Sequence, residues 1–105
     1  MNFNSRETYL AAVADWKLRY ADTIEGIRKV KIDFKNAQRA FSKVDFVPIW
    51  KGSDEQRKAY YAAYRPMEDL RSEHRSLVKE ATDLLTERAL GREEAGRQME
   101  LTRTP

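Results

Sequence analysis

Tyr9, Val13, Trp16, Tyr20, Thr23, Ile27, Val30, Phe34, Ala37 and Phe41 follow one another at alternating steps of four and three. All but Thr23 are apolar or aromatic. A stripe that repeats every 3.5 residues over roughly five heptads specifies a helix whose one apolar seam must face another helix. Asn4 stands at the cap position, Glu7 where a capping box places a carboxylate, and Phe3 ahead of the cap. The spacing predicts a helix from about residue 5 to about 42, on the order of 55 Å long at its ordinary rise. Gly26 lies off this seam and costs about 1 kcal/mol relative to alanine.

A second seam runs through Tyr60, Ala63, Met67, Leu70, His74, Leu77, Ala81, Leu84 and Arg88. Tyr64, Val78 and Leu85 form a flanking row that widens its apolar face. Ser53 and Gln56 make a second capping box. Pro66 falls inside the pattern, where it removes a backbone donor and crowds the preceding turn. The expectation is a helix over about 53–64, a kink or break at Pro66, and a helix over about 66–97 followed by a frayed C-terminus. Between the first and second helices, about 43–52, lies an aromatic loop.

These elements make one all-α domain over 1–105, a long antiparallel helical hairpin of coiled-coil type, because a short connection leaves two helices little choice. Folding back near Pro48 brings Trp16 to the region of Ala81 and Ile27 to the region of Leu70. The second helix's face is wider than one partner helix covers, and Leu18 and Ile32 point away from the first seam. Either the segment before Pro66 bends to make a third layer, or a homodimer forming a four-helix bundle covers this excess.

Within the stretch "DFVPIWKGSDEQRKAYYAAYRPMEDL", residues 45–70, aromatic side chains crowd the turn. Two readings stand. In one, Phe46, Ile49 and Trp50 fold over the open end of the hairpin and cap Phe34 and Phe41. In the other, Phe46, Ile49, Trp50, Tyr60, Tyr61, Tyr64 and Arg65 form a protein-binding tip, since aromatic residues and arginine dominate protein interfaces.

Charge is distributed unevenly. The formal net charge is only +3, yet Arg28, Lys31, Lys35 and Arg39 lie at steps of three and four, and Lys17 extends the row. Such a stripe is either a solvated helix face or a sequence-blind site for nucleic-acid phosphates. It lacks interleaved aromatics for base stacking, because Phe34 and Phe41 belong to the seam.

For catalysis the inventory is thin. The chain has no cysteine and a single histidine, His74, so thiolate chemistry and thiolate metal ligands are excluded. Ser72 and Ser76 turn to other faces than His74. The residue three before His74 is Arg71, so the Glu-x-x-His pattern of helical di-metal sites is absent. The glycines are isolated and form no phosphate loop. The expectation is a non-enzymatic protein without metal or cofactor, in the first place a protein-binding module, with nucleic-acid binding or a structural or assembly role as alternatives. No apolar run approaches the roughly 20 residues of a membrane helix. Residues 1–5 do not follow a secretory pattern, and a cytoplasmic protein is the simplest reading.

The segments "RETYLAAVADWKLRY", residues 6–20, and "LLTERALGREEAGRQ", residues 84–98, resemble small helical proteins encoded by bacteriophages and prophages. The resemblance implies a non-catalytic inhibitor or adaptor that binds a host protein in the host cytoplasm, directed at host defence or a host polymerase. It implies no residue-level site.

Overall fold

A computed structural model of the chain describes residues 5–44 and 51–103, with side chains up to residue 98. The protein is all-α, a helical hairpin of two long helices: α1, Arg6–Ser42, and α2, Asp54–Arg103. The chain clusters into two compact units. The central unit is Gly26–Leu77, and the terminal unit joins Met1–Glu25 to Val78–Pro105.

Local chemistry sets the helix ends. Ser5 caps α1: its Oγ accepts the Thr8 backbone N–H at 3.2 Å, so the cap lies one residue later than the sequence pattern suggests. Asn4 and Phe3 lie outside the described residues. At the other end, Lys43 and Val44 donate to the carbonyls of Ala40 and Phe41 at 3.3 and 3.0 Å. These tighter i to i+3 bonds satisfy carbonyls that the last turn leaves open. The capping box of α2 is reciprocal. Ser53 N–H donates to Gln56 Oε1 at 2.9 Å, and Gln56 N–H to Ser53 Oγ at 3.2 Å. Asp54 and Glu55 then place negative charge in the first turn, where the helix dipole favours it.

Two sequence expectations for α2 need correction. The first is the separation into helices at 53–64 and 66–97. Pro66 sits inside one α-helical element. Its ring and the neighbouring Ala62 are exposed, so the Ala62 carbonyl that loses its partner remains accessible to water. Tyr60 and Tyr64 before the proline and buried Met67 after it hold the same face to α1. The second is the end near Arg97, since α2 continues to Arg103. Gly91 and Ala95 are buried, and close packing over these small residues offsets the poor helix propensity of glycine there.

In the central unit the helices run antiparallel. Gly26 lies by Leu77, Phe34 by Arg71, and Phe41 by Tyr60 and Tyr64. Val30 and Met67 are the buried apolar residues. In the terminal unit the Trp16 indole N–H donates to the Leu84 backbone carbonyl, and Ala81, Leu84 and Ala95 are buried. Thr23, the one polar member of the first seam, is 4% exposed. It satisfies its hydroxyl locally by donating to the Arg19 carbonyl at 3.0 Å.

The register differs from a fold-back at Pro48. Trp16 reaches Leu84 rather than Ala81, and Gly26 meets Leu77 where Ile27 was expected near Leu70. Side chains lean toward the N-terminus of their own helix, which displaces antiparallel contacts in this direction and accounts for part of the difference. The rest places the centre of the reversal nearer Lys51 and Gly52.

Two substitutions test this packing. A Cβ added at Gly26 would meet the Leu77 methyls at 3.5 Å, an ordinary contact. Gly26→Ala should therefore raise the unfolding free energy by about 1 kcal/mol. Pro66→Ala restores a backbone hydrogen bond on the solvent side and should add about 2 kcal/mol. Both are read from urea denaturation followed by circular dichroism. A loss in either variant would refute the corresponding contact geometry.

Candidate functional site

Three clusters deserve consideration as sites. Two lie in the central unit and one in the terminal unit.

The first is the tyrosine ledge at the start of α2. With the capping box fixing residue 54 as the first helical position, Tyr60 and Tyr64 fall on the side facing α1. Phe41 packs against both, with ring centroids at 5.1 Å from Tyr60 and 5.8 Å from Tyr64. Tyr60 and Tyr64 stack with an interplanar angle of 5°. The Tyr64 hydroxyl donates to Glu68 Oε1 at 2.9 Å. That hydrogen bond to a carboxylate holds the phenol above its ordinary pKa. Tyr60 and Tyr64 thus contribute to the unit's own packing. Tyr61 is different: it meets Tyr60 edge-on but is 59% exposed. Arg65, four residues on, is exposed on the same face of the helix. Phe46, Ile49 and Trp50 lie outside the described residues.

The second is a groove of about 550 Å³ between α1 and α2, with Val30, Phe34 and Leu70 among its lining residues. Lys31 and Lys35 line it from α1, and Arg71, His74 and Arg75 from α2. No carboxylate lines it. The Arg71 guanidinium lies 5.5 Å from the Phe34 ring centroid and donates to Glu68 Oε1 at 2.8 Å. Of the basic stripe read from sequence, the groove takes up Lys31 and Lys35. Arg28 and Arg39 are exposed on α1, Arg39 in its last turn, and Lys17 is exposed in the terminal unit. Sequence reasoning missed Arg71 and Arg75. They are four residues apart and flank the second seam, but only the pairing of the helices brings them opposite Lys31 and Lys35.

The third is a clasp in the terminal unit. Arg88 donates to the Tyr9 hydroxyl at 2.8 Å, and its guanidinium lies 5.5 Å from the Tyr9 ring centroid and 6.0 Å from that of Trp16. Trp16 in turn stacks on Tyr20 at 5.0 Å. Beside it Arg19 forks onto Glu87, with Nη1 to Oε2 at 3.0 Å and Nη2 to Oε1 at 2.9 Å, while its Nε donates to Asp15. The small cavity among these residues, about 180 Å³, is bounded by Asp15, Arg19 and Glu87, which pair with one another, and by Arg88, which is held by the Tyr9 hydroxyl and the two rings. Its chemistry is that of a tether between the helices.

His74 lines the basic groove, half-buried, and Ser72 and Ser76 are exposed. Among the described residues no group of three or more His, Asp or Glu side chains is placed to share a metal ion. No helix among them is long and apolar enough to cross a membrane.

The Arg19–Glu87 fork predicts a pH effect. Hydrogen bonding by Arg19, above all, holds the Glu87 carboxyl below its ordinary pKa. The folded value is thus lower than the unfolded one. The stabilisation is complete above the ordinary carboxylate range and is lost as pH falls through the folded value. Both side chains are partly exposed, so the effect is small. Melting temperatures measured from about pH 7 down to about pH 3 should fall more for the wild type than for Glu87→Gln, and the two should converge at the acid end. Parallel curves would show that the fork adds nothing to stability.

Comparison with known proteins finds no matching family model, no similar curated protein and no similar solved structure.

Proposed function

We propose that this chain is a non-enzymatic protein-binding module acting in the cytoplasm. The observation that carries this reading is apolar surface left open on rigid helices. In the terminal unit Val78, Leu85 and Leu90 are 42%, 50% and 59% exposed. Val78 and Leu85 stand seven residues apart, with exposed Thr82 at the intervening helical step and exposed Ala89 at the next one, so they form one stripe beside the seam. Exposed apolar stripes of this kind mark interaction surfaces. In the central unit Tyr61 and Arg65 supply an aromatic and a cationic anchor, the residue types that concentrate binding energy. Phe46, Ile49 and Trp50, outside the described residues, are assigned to the proposed tip on sequence alone.

The likeness of residues 6–20 and 84–98 to small phage-encoded helical proteins supports an inhibitor or adaptor directed at a host protein. Nucleic-acid binding through Lys17, Arg28, Lys31, Lys35 and Arg39 has less support. Arg71 lies over Phe34, the ring that base stacking in the groove would need.

Capture from host lysate with three baits tests the reading: wild type, Tyr61→Ala/Arg65→Ala, and Leu85→Glu. All three positions are exposed, so each variant should keep its helicity and stay within about 0.5 kcal/mol of wild-type stability. One protein should be enriched by the wild type and lost, at least tenfold or so, with one of the variants. Equal recovery by all three baits would reject these surfaces.

A further inference from the structure

The basic groove of the central unit has a complement elsewhere on the same chain. Leu18, in the terminal-unit part of α1, is 69% exposed, more than any other large apolar side chain among the described residues. Ala14 and Ala21, at four residues before and three after, are exposed on the same helix face. Asp22 and Glu25, at four and seven residues after Leu18, continue its face toward the C-terminus of α1 and are exposed as well. The result is a narrow ridge: one leucine between small residues, followed along the helix by two carboxylates.

The groove is the inverse of that ridge. Val30, Phe34 and Leu70 supply its apolar surface. Lys31 and Lys35 on one helix and Arg71 and Arg75 on the other supply cations, each pair spaced one turn apart. Glu68 engages Arg71 and leaves the other three cations to outweigh it. A helix laid in a groove between two helices is a standard recognition mode, with apolar anchors setting position and charges setting register.

We infer that the groove of the central unit receives the Leu18 ridge of a second copy of this chain. Leu18 seats on the apolar floor, and Asp22 and Glu25 meet the lysines and arginines of the walls. Each copy carries one ridge and one groove, so the contact is heterologous and links one copy to the next. The inference goes beyond the protein-binding reading and uses neither Tyr61 nor Leu85.

Sedimentation velocity on the full chain tests it. At low salt the wild type should self-associate and dissociate progressively as salt is raised. Lys31→Glu/Lys35→Glu and Asp22→Lys/Glu25→Lys should each weaken association at least about tenfold. An equimolar mixture of the two variants should associate within about threefold of wild-type affinity, because both contacts then join opposite charges. Unchanged far-ultraviolet circular dichroism shows that the variants fold. A wild type that stays monomeric, variants that associate as the wild type does, or a mixture that stays monomeric would each overturn the inference. So would wild-type binding of a single-stranded oligothymidylate without self-association, which would assign the groove to nucleic acid. None of these results bears on capture through Tyr61 or Leu85, so the two readings fail separately.

Discussion

Two helices share one seam, and each can bury only the stripe that faces the other. Within that limit the chain packs large against small. In the terminal unit the second helix offers Ala81, Gly91 and Ala95, all buried, and Trp16 from the first helix reaches the backbone itself at Leu84. Burial is correspondingly shallow: no large side chain among the described residues is fully enclosed. A seam this thin draws on polar contacts for definition. The indole N–H on a carbonyl, the arginine over two rings and the forked ion pair each prescribe one geometry, whereas apolar contact alone would tolerate sliding. Fixing register is the best attested use of such groups along a helix pair.

The same limit explains the arrangement of charge. A helix in a pair has most of its circumference in water, so charged residues are cheap almost everywhere on it. In the central unit they are not mixed at random. Glu68 is shared between the Tyr64 hydroxyl and Arg71. It joins the aromatic ledge to the basic groove while leaving Lys31, Lys35 and Arg75 to dominate the groove's field. Low net charge on the whole chain therefore coexists with a strongly cationic concavity, and such a concavity steers association more than it stabilises the fold.

Much of this was legible in the sequence. The heptad step from Tyr9 to Phe41 could only be a helix, and the Ser53–Gln56 box placed the start of α2 within a residue. The exposed positions of Leu18, Ile32, Val78 and Leu85 followed from their angular distance to the seams. What failed was whatever depended on context. Pro66 reads as a kink or a break because its local cost is large, yet the helix is unbroken there: the cost falls on the solvent side and the face it interrupts is held by Phe41 and Met67. The register, and with it the pairing of Arg71 and Arg75 with Lys31 and Lys35, depends on where the chain reverses, which helical periodicity does not encode. Tyr60, Tyr61 and Tyr64 read as one cluster by proximity in sequence. Helical rotation separates them, turning two toward Phe41 and one toward solvent.

A shallow core and open helix faces have a joint consequence for how such a chain works. The faces are presented on preformed helices, so binding there costs little ordering of the backbone. Any partner that covers them binds the folded chain and not the unfolded one, and its affinity adds directly to stability. Deepening the core instead would require larger residues at Ala81, Gly91 or Ala95, which would push the helices apart and break the short reach of Trp16 and Arg88. Shallow burial is therefore a condition of close helix approach, and stability beyond what that approach provides has to come from surfaces the pair leaves outside.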